Sequence, residues 1–260
     1  MQKASTMTPE VARRLLALNR AFYATVAADF DISRRTVPAG MVQILAAAPP
    51  ANPLRVLDVG CGNGRLLQAL ARAFPPHQPI VYWGVDSDPA LLARAQAACA
   101  SFAHGSAQVL QGDILAGDLG IAQRESPDQF DVVACFAVLH HMPSERLRVQ
   151  ALRNLAGHLA VGGRLLLSTW QFQQSERLRG RIAPWERIGL SAADVEAGDA
   201  LLPWDQGVHA LRFAHAIAPD ELRALAGSAG LIIESTFFAD GHEGNLNLYA
   251  ALGHKEQDPP

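Results

Sequence analysis

A chain of 260 residues with 49% hydrophobic and 18% charged content can bury one substantial core, and it fits one elaborated domain better than two. Net charge is −3 and the pI about 6.3, which excludes a global basic field for nucleic acid; Lys3 and Lys255 are the only lysines. Cys61, Cys99 and Cys135 are scattered without CxxC spacing, arguing for a reducing compartment and against a disulfide framework or a zinc site. No apolar run approaches the roughly 18 residues of a membrane span, and the first ten residues hold no apolar signal core. The expectation is a soluble, cytoplasmic chain with neither membrane nor metal as partner.

In chain order, Thr8-Pro9-Glu10 reads as a helix start, with a capping hydroxyl and proline in the first turn. Val11, Leu15, Leu18, Phe22 and Val26 follow at helical spacing, predicting an amphipathic helix that ends near Phe30. A second helix is expected over Thr36 to Ala48, then a stiff connector at Pro49, Pro50 and Pro53. These N-terminal helices are either a packing pair or a lid over a ligand.

Arg55 to Leu66 is the stretch around which the rest is organised. Val56, Leu57 and Val59 supply a short buried strand, and Gly60, Gly62 and Gly64 let the backbone turn tightly against a ligand. A helix follows from Gly64 to Phe74. Further strands are predicted at Ile80 to Val85, Gln108 to Gln111 and Phe130 to Phe136. Ser144 caps a helix to about Leu159, and Gly162-Gly163 turns the chain into a fifth strand, Arg164 to Trp170. Strands alternating with helices, and buried without alternation of their own, define an α/β chain with a parallel, doubly wound sheet. Trp170 to His215 breaks this rhythm as an insertion. A last helix starts at Pro219, two final strands cover Leu231 to Phe238 and Leu246 to Leu252, and the tail from Gly253 is expected to be disordered.

The glycine turn can serve two ligands. A dinucleotide site wants G-x-G-x-x-G around a pyrophosphate, but here Gly60-x-Gly62-x-Gly64 is preceded by Asp58, which would repel one. An amino-acid ligand is welcome there, its ammonium paired with Asp58 and its carboxylate held by N–H groups. Asp86, 22 residues after Gly64, is placed to accept from both ribose hydroxyls. Asp113, at the third strand end, can accept from an adenine amino group, although alone it reads as a helix cap. Together the three acids fit a cationic, ribose-bearing ligand.

Leu57 to Gly64, Gly84-Val85-Asp86, Gly112-Asp113 and Phe130-Asp131 with Leu139-His140-His141 resemble the ordered motifs of class I S-adenosylmethionine-dependent methyltransferases. The resemblance implies a Rossmann-like seven-stranded sheet in the order 3-2-1-4-5-7-6 with strand seven antiparallel. It implies S-adenosyl-L-methionine as cofactor, and it adds Cys61, Ser87, Ile114 and Phe136 to the cofactor-binding set. Residues 1–252 are then one domain, with an N-terminal helical cap (1–50), a cofactor-binding core (54–170), an insertion (171–215), a C-terminal helix and strands (216–252), and a tail (253–260).

Outside that core, four stretches resemble the tRNA wobble-uridine methyltransferases that esterify a 5-carboxymethyl group: Phe22 to Arg34, Phe136 to His141, Gly198 to Trp204, and Leu211 to His215. Ala214, Asn245-Leu246-Asn247 and a missing lysine-rich loop depart from that subgroup. The resemblance implies a carboxylate acceptor on tRNA. Arg34, Arg212 and His141 are the catalytic candidates, and Trp204, His215 and Asn245 line the acceptor pocket. Related eukaryotic enzymes use a small zinc-binding activator subunit as partner. A carboxylate is ionised at neutral pH and needs cations to hold it, whereas a hydroxyl or amine acceptor would need His141 as base. Two other readings stand beside this one: a methyltransferase of a small metabolite, and a non-catalytic cofactor-binding subunit.

Overall fold

The computed structural model describes residues 7–33, 36–121, 127, 129–205 and 207–255; side chains of 27–33 are outside the description. Seven strands form one sheet: β1 (Leu54–Val59), β2 (Ile80–Asp86), β3 (Gly105–Gln111), β4 (Phe130–Phe136), β5 (Leu159–Trp170), β8 (Leu231–Ala239) and β9 (Asn247–His254). Their order is β3-β2-β1-β4-β5-β9-β8, with β9 antiparallel to both neighbours and the first five strands parallel. This is the expected order, the two last strands being the sixth and seventh of the sheet.

Alternate residues of each strand feed opposite cores. Leu57, Val133 and Leu165 face one apolar cluster with α1 (Pro9–Ser33), α5 (Glu145–Ala156) and α7 (Pro219–Ser228). Val56, Val132 and Leu166 face the other, with α2 (Ala39–Ile44) and α3 (Arg65–Ala73). Every residue of β4 is buried, which is why its sequence shows no alternation. Asp131 at its start accepts from the main-chain N–H and guanidinium of Arg55, tying β4 to β1. Strand order reverses between β1 and β4, and it is at their carboxyl ends that a doubly wound sheet opens a crevice.

Several boundaries differ from expectation. The second helix begins only after Pro38, because proline disfavours helical backbone in the residue before it, and it tightens into a 3-10 turn at Leu45–Ala47. β5 already starts at Leu159; Gly162, at φ +75°, sits in an irregularity inside the strand and not in a turn before it. α5 accordingly stops at Ala156, although Ser144 does cap it by accepting from the Leu147 N–H. Gly253 and His254 belong to β9 and the Lys255 N–H still donates to the Gly230 carbonyl, whereas 256–260 lie outside the described residues.

The insertion is more ordered than its composition indicates. After α6 (Glu176–Arg179), β6 (Asp199–Trp204) and β7 (Ala210–His215) form an antiparallel ribbon that packs against α1. Asn19 of α1 does the joining. Its amide donates to the carbonyl of Phe213 at 3.1 Å and accepts from the Phe213 N–H at 2.8 Å, reading the β7 main chain as a neighbouring strand would. The remaining long helix, α4 (Pro89–Ala100), is capped by Asp88, which accepts from the N–H groups of Ala90 and Leu91.

Candidate active site

A cavity of about 690 Å³ opens at the carboxyl ends of β1, β2 and β4, with α1 as its opposite wall. Gly60 and Cys61 both donate their N–H to the Val85 carbonyl, at 2.7 and 3.0 Å, pinning the glycine turn to β2. Gly60, Gly62 and Gly64 all have positive φ, at 76°, 57° and 78°. They need it for different reasons. A Cβ on Gly60 would stand 2.3 Å from Val138 Cγ2, and one on Gly64 would press on the Cα of Ala95 at 3.2 Å. A Cβ on Gly62 would meet nothing within 4 Å, so this residue borders open cavity that a ligand can fill.

Asp58 is buried under the turn and accepts from the Tyr82 hydroxyl at 2.8 Å. Burial is the main cause that pushes its pKa up to about 7; the Tyr82 bond opposes this. A ligand ammonium would restore the charge that burial resists. Asp86 accepts from the N–H groups of Gly62 and Asp88, both at 2.9 Å, which orients its two oxygens at the cavity wall. Burial raises its pKa as well. Ser87, Asp113, Ile114 and Phe136 also line the cavity, as does Cys61, whose thiol is pushed far up by burial.

Asp113 has closer partners than an adenine. One oxygen accepts from the Leu115 N–H at 2.9 Å and the other from Arg20 of α1, also at 2.9 Å. Asp113 thus caps a turn and not the expected helix, since no helix lies between β3 and β4 among the described residues, and it adds a link to α1 across the cavity.

The acceptor candidates do not form one cluster. His141 lines the cavity beside Phe136, Ala137 and Val138. His140 does not line the cavity; its Nδ1 accepts from the Trp170 N–H at 3.2 Å. Arg212 faces a second cavity of about 380 Å³ with Trp170, Arg177, Arg181, Trp204 and Asn245. Its guanidinium carbon stands 4.4 Å from the Trp170 ring, 5.2 Å from Phe22 and 5.9 Å from Trp204, an aromatic box that holds the cation. His215 lines neither cavity. It is buried between Asp199 at 2.6 Å and Glu221 at 2.9 Å, and Arg148 bridges Glu221 and Glu196, so its place is in an internal ion network and not in the acceptor pocket. Arg34 lies outside the described residues.

Leu16, Asn19, Arg20, Tyr23 and Ala24 of α1 complete the first cavity, and sequence reasoning assigned none of them to it. Their spacing of three and four marks a second face of a helix already read as amphipathic, but nothing in that spacing says that the face meets a ligand. Tyr82 was equally silent, being one more aromatic in a buried strand.

The strand order is that of the Rossmann-like methyltransferase fold, and the cradle resembles that of class I S-adenosylmethionine-dependent enzymes. The acids beneath and beside the glycine turn, and the open face of Gly62, fit S-adenosylmethionine as its cofactor. Residues 57–165 match a family profile described as a methyltransferase domain. Among relatives, the ubiquinone biosynthesis O-methyltransferase of Xylella fastidiosa is 32% identical over 185 residues, 71% of this chain. An uncharacterized methyltransferase of Mycobacterium tuberculosis is 32% identical over 148 residues, 57% of this chain and 66% of that protein. The chain spans 63% of the length of the Xylella relative. A methyltransferase structure from Clostridium acetobutylicum superposes with a TM-score of 0.62 at 12% identity, over 91% of this chain and 98% of that one. The amino pentose methyltransferase CalS10 of Micromonospora echinaspora, solved with S-adenosylmethionine bound, gives 0.53 at 24% identity, over 88% and 91%. These two likenesses speak to the fold. Among the described residues no helix is long and apolar enough to cross a membrane.

Proposed function

We propose that the chain is an O-methyltransferase whose acceptor is a small molecule bearing a hydroxyl group. One observation carries this reading. His141 stands in the wall of the cavity with Nδ1 2.9 Å from the Phe213 carbonyl. A carbonyl only accepts, so the hydrogen is on Nδ1 and the neutral ring keeps its lone pair on Nε2, as a base requires. A phenol-like hydroxyl, with an ordinary pKa of about 10, needs such a base, whereas a carboxylate does not.

S-adenosylmethionine supplies a methyl group on a cationic sulfur, transferred in line to the acceptor oxygen. The chain's own part is positional. Asp58 and Asp86 take the amino and ribose ends, the glycine turn, whose N–H groups at Gly60, Cys61, Gly62 and Gly64 are bonded within the protein, lets the cofactor approach closely, and His141 receives the acceptor's proton. The name of the Xylella relative supports an oxygen acceptor of the small-molecule kind.

The tRNA reading rests on the four sequence stretches and on the arginines of the insertion. Arg181 is paired with Asp205 and Arg212 is held in its aromatic box, so within the insertion that reading draws on the exposed Arg177, Arg179 and Arg187. Incubation of labelled S-adenosylmethionine with bulk tRNA and, separately, with a small-molecule extract tests the choice. Label is expected in the extract. Label recovered in tRNA nucleosides would overturn the reading in favour of the wobble-uridine one.

A further inference from the structure

The lone pair on His141 Nε2 does not face the cavity unaccompanied. Tyr23 of α1 places its hydroxyl 2.7 Å from that nitrogen. With Nδ1 donating to Phe213, Nε2 of the neutral ring is the acceptor, and the Tyr23 hydroxyl is the donor. Tyr23 and His141 both line the cavity, so a hydroxyl approaching the nitrogen meets the phenol oxygen.

The arrangement is held from three sides. The Tyr23 ring packs edge-on against the His141 ring, with centroids 5.5 Å apart and planes at 79°. Phe22 packs edge-on against Tyr23 at 5.1 Å and reaches under Arg212. One turn earlier, Asn19 bonds both main-chain groups of Phe213, the residue whose carbonyl orients His141. The same helix and the same β7 residue therefore fix both ends of the pair.

We propose that Tyr23 is a catalytic residue of the hydroxyl methylation put forward above, acting as a proton relay to His141; the inference rests on that reading. As the acceptor oxygen bonds the methyl carbon, the sulfur–carbon bond breaks and its electron pair stays on sulfur. The acceptor's proton passes to the Tyr23 oxygen while the proton of Tyr23 passes to His141 Nε2. The resulting imidazolium keeps its Nδ1 hydrogen on Phe213 and releases the other proton to water after the product departs.

The test compares catechol, whose hydroxyl must be deprotonated, with 4-nitrocatechol, which is already ionised near neutral pH. In Tyr23→Phe, kcat for catechol should fall about a hundredfold and kcat for 4-nitrocatechol far less, with the KM for S-adenosylmethionine within twofold of wild type. Equal losses on both acceptors would make Tyr23 a packing residue and overturn the relay alone. Failure of the wild-type protein to methylate any of a panel of phenols and catechols would overturn the hydroxyl reading, and the relay with it. Long-range proton–nitrogen spectra of histidine-labelled protein add a readout that needs no turnover: the Nδ1–H tautomer of His141 is expected, and an Nε2–H tautomer would remove the relay whatever the activity.

Discussion

The guanidinium of Arg20 lies 2.9 Å from the carboxylate of Asp113, joining the N-terminal helix to the end of β3 across the cofactor cavity. Both side chains are well exposed, at 64% and 39%, so the bond adds little to global stability, on the order of 0–1 kcal/mol. Because it spans the cavity, its loss should ease cofactor release without unfolding the chain. Arg20→Gln is expected to leave the melting temperature nearly unchanged and to raise the cofactor dissociation rate severalfold, as stopped-flow fluorescence can measure. High salt should do the same to wild type and nothing further to the variant.

Asp58 predicts an unusual trade. Burial raises its pKa from 3.8 to about 7, so the folded state holds a proton that the unfolded chain gives up. The group's contribution is therefore complete below about pH 4 and is lost as pH rises to about 7. Asp58→Asn, neutral throughout, should melt higher than wild type at pH 8 without cofactor, and the difference should vanish towards pH 4. The rise in melting temperature on adding S-adenosylmethionine should disappear in the variant. A lower melting point at pH 8 would show that the carboxylate is stabilised by something other than its ligand.

His215 carries the opposite charge and its own pH window. Desolvation works to lower its pKa, but hydrogen bonds to Asp199 and Glu221 prevail and raise it above 6.5. The imidazolium's stabilisation is thus full below about pH 6.5 and lost as pH rises through the folded value. Thermal melts of His215→Gln should show the largest deficit against wild type near pH 6 and a shrinking one towards pH 9. Cofactor affinity should be unaffected, because His215 lines neither cavity.

Gly60→Ala places a methyl group 2.3 Å from Val138 Cγ2 at a φ of +76°. Backbone strain and overpacking together should cost about 2–4 kcal/mol in urea unfolding. Val138→Ala in the same chain should restore the overpacking part and leave the strain, a coupling that a double-mutant cycle isolates.

The cofactor half of the site was legible because its chemistry is local. Asp58, the three glycines and Asp86 lie at strand ends that hydrophobic pattern alone locates, and turn geometry dictates what each can do. The sheet's parallel core followed from the same pattern, its strand order from the resemblance its motifs carry. Boundaries failed where competing local signals met, as at Pro38 and Gly162, or where a strand absorbed an irregularity without ending.

The acceptor half could not be read that way. Arg212 and Phe213 are adjacent in sequence, yet strand alternation sends the Arg212 side chain to the second cavity while the Phe213 carbonyl orients His141 in the first. Asn19, Arg20 and Tyr23 sit on an ordinary amphipathic helix, and only its packing against a distant ribbon brings them to the cavity. His215 was assigned to the pocket through the resemblance of Leu211 to His215, which shows a residue type but not its neighbours; Asp199 and Glu221 reach it only in the folded chain. Short-range pattern determines which elements form and what a turn can bind, since those depend on residues within a few positions of each other. Which side chains share a cavity depends on contacts spanning more than a hundred residues, such as Tyr23 with His141, and these exist only once the sheet, the helix and the ribbon have packed.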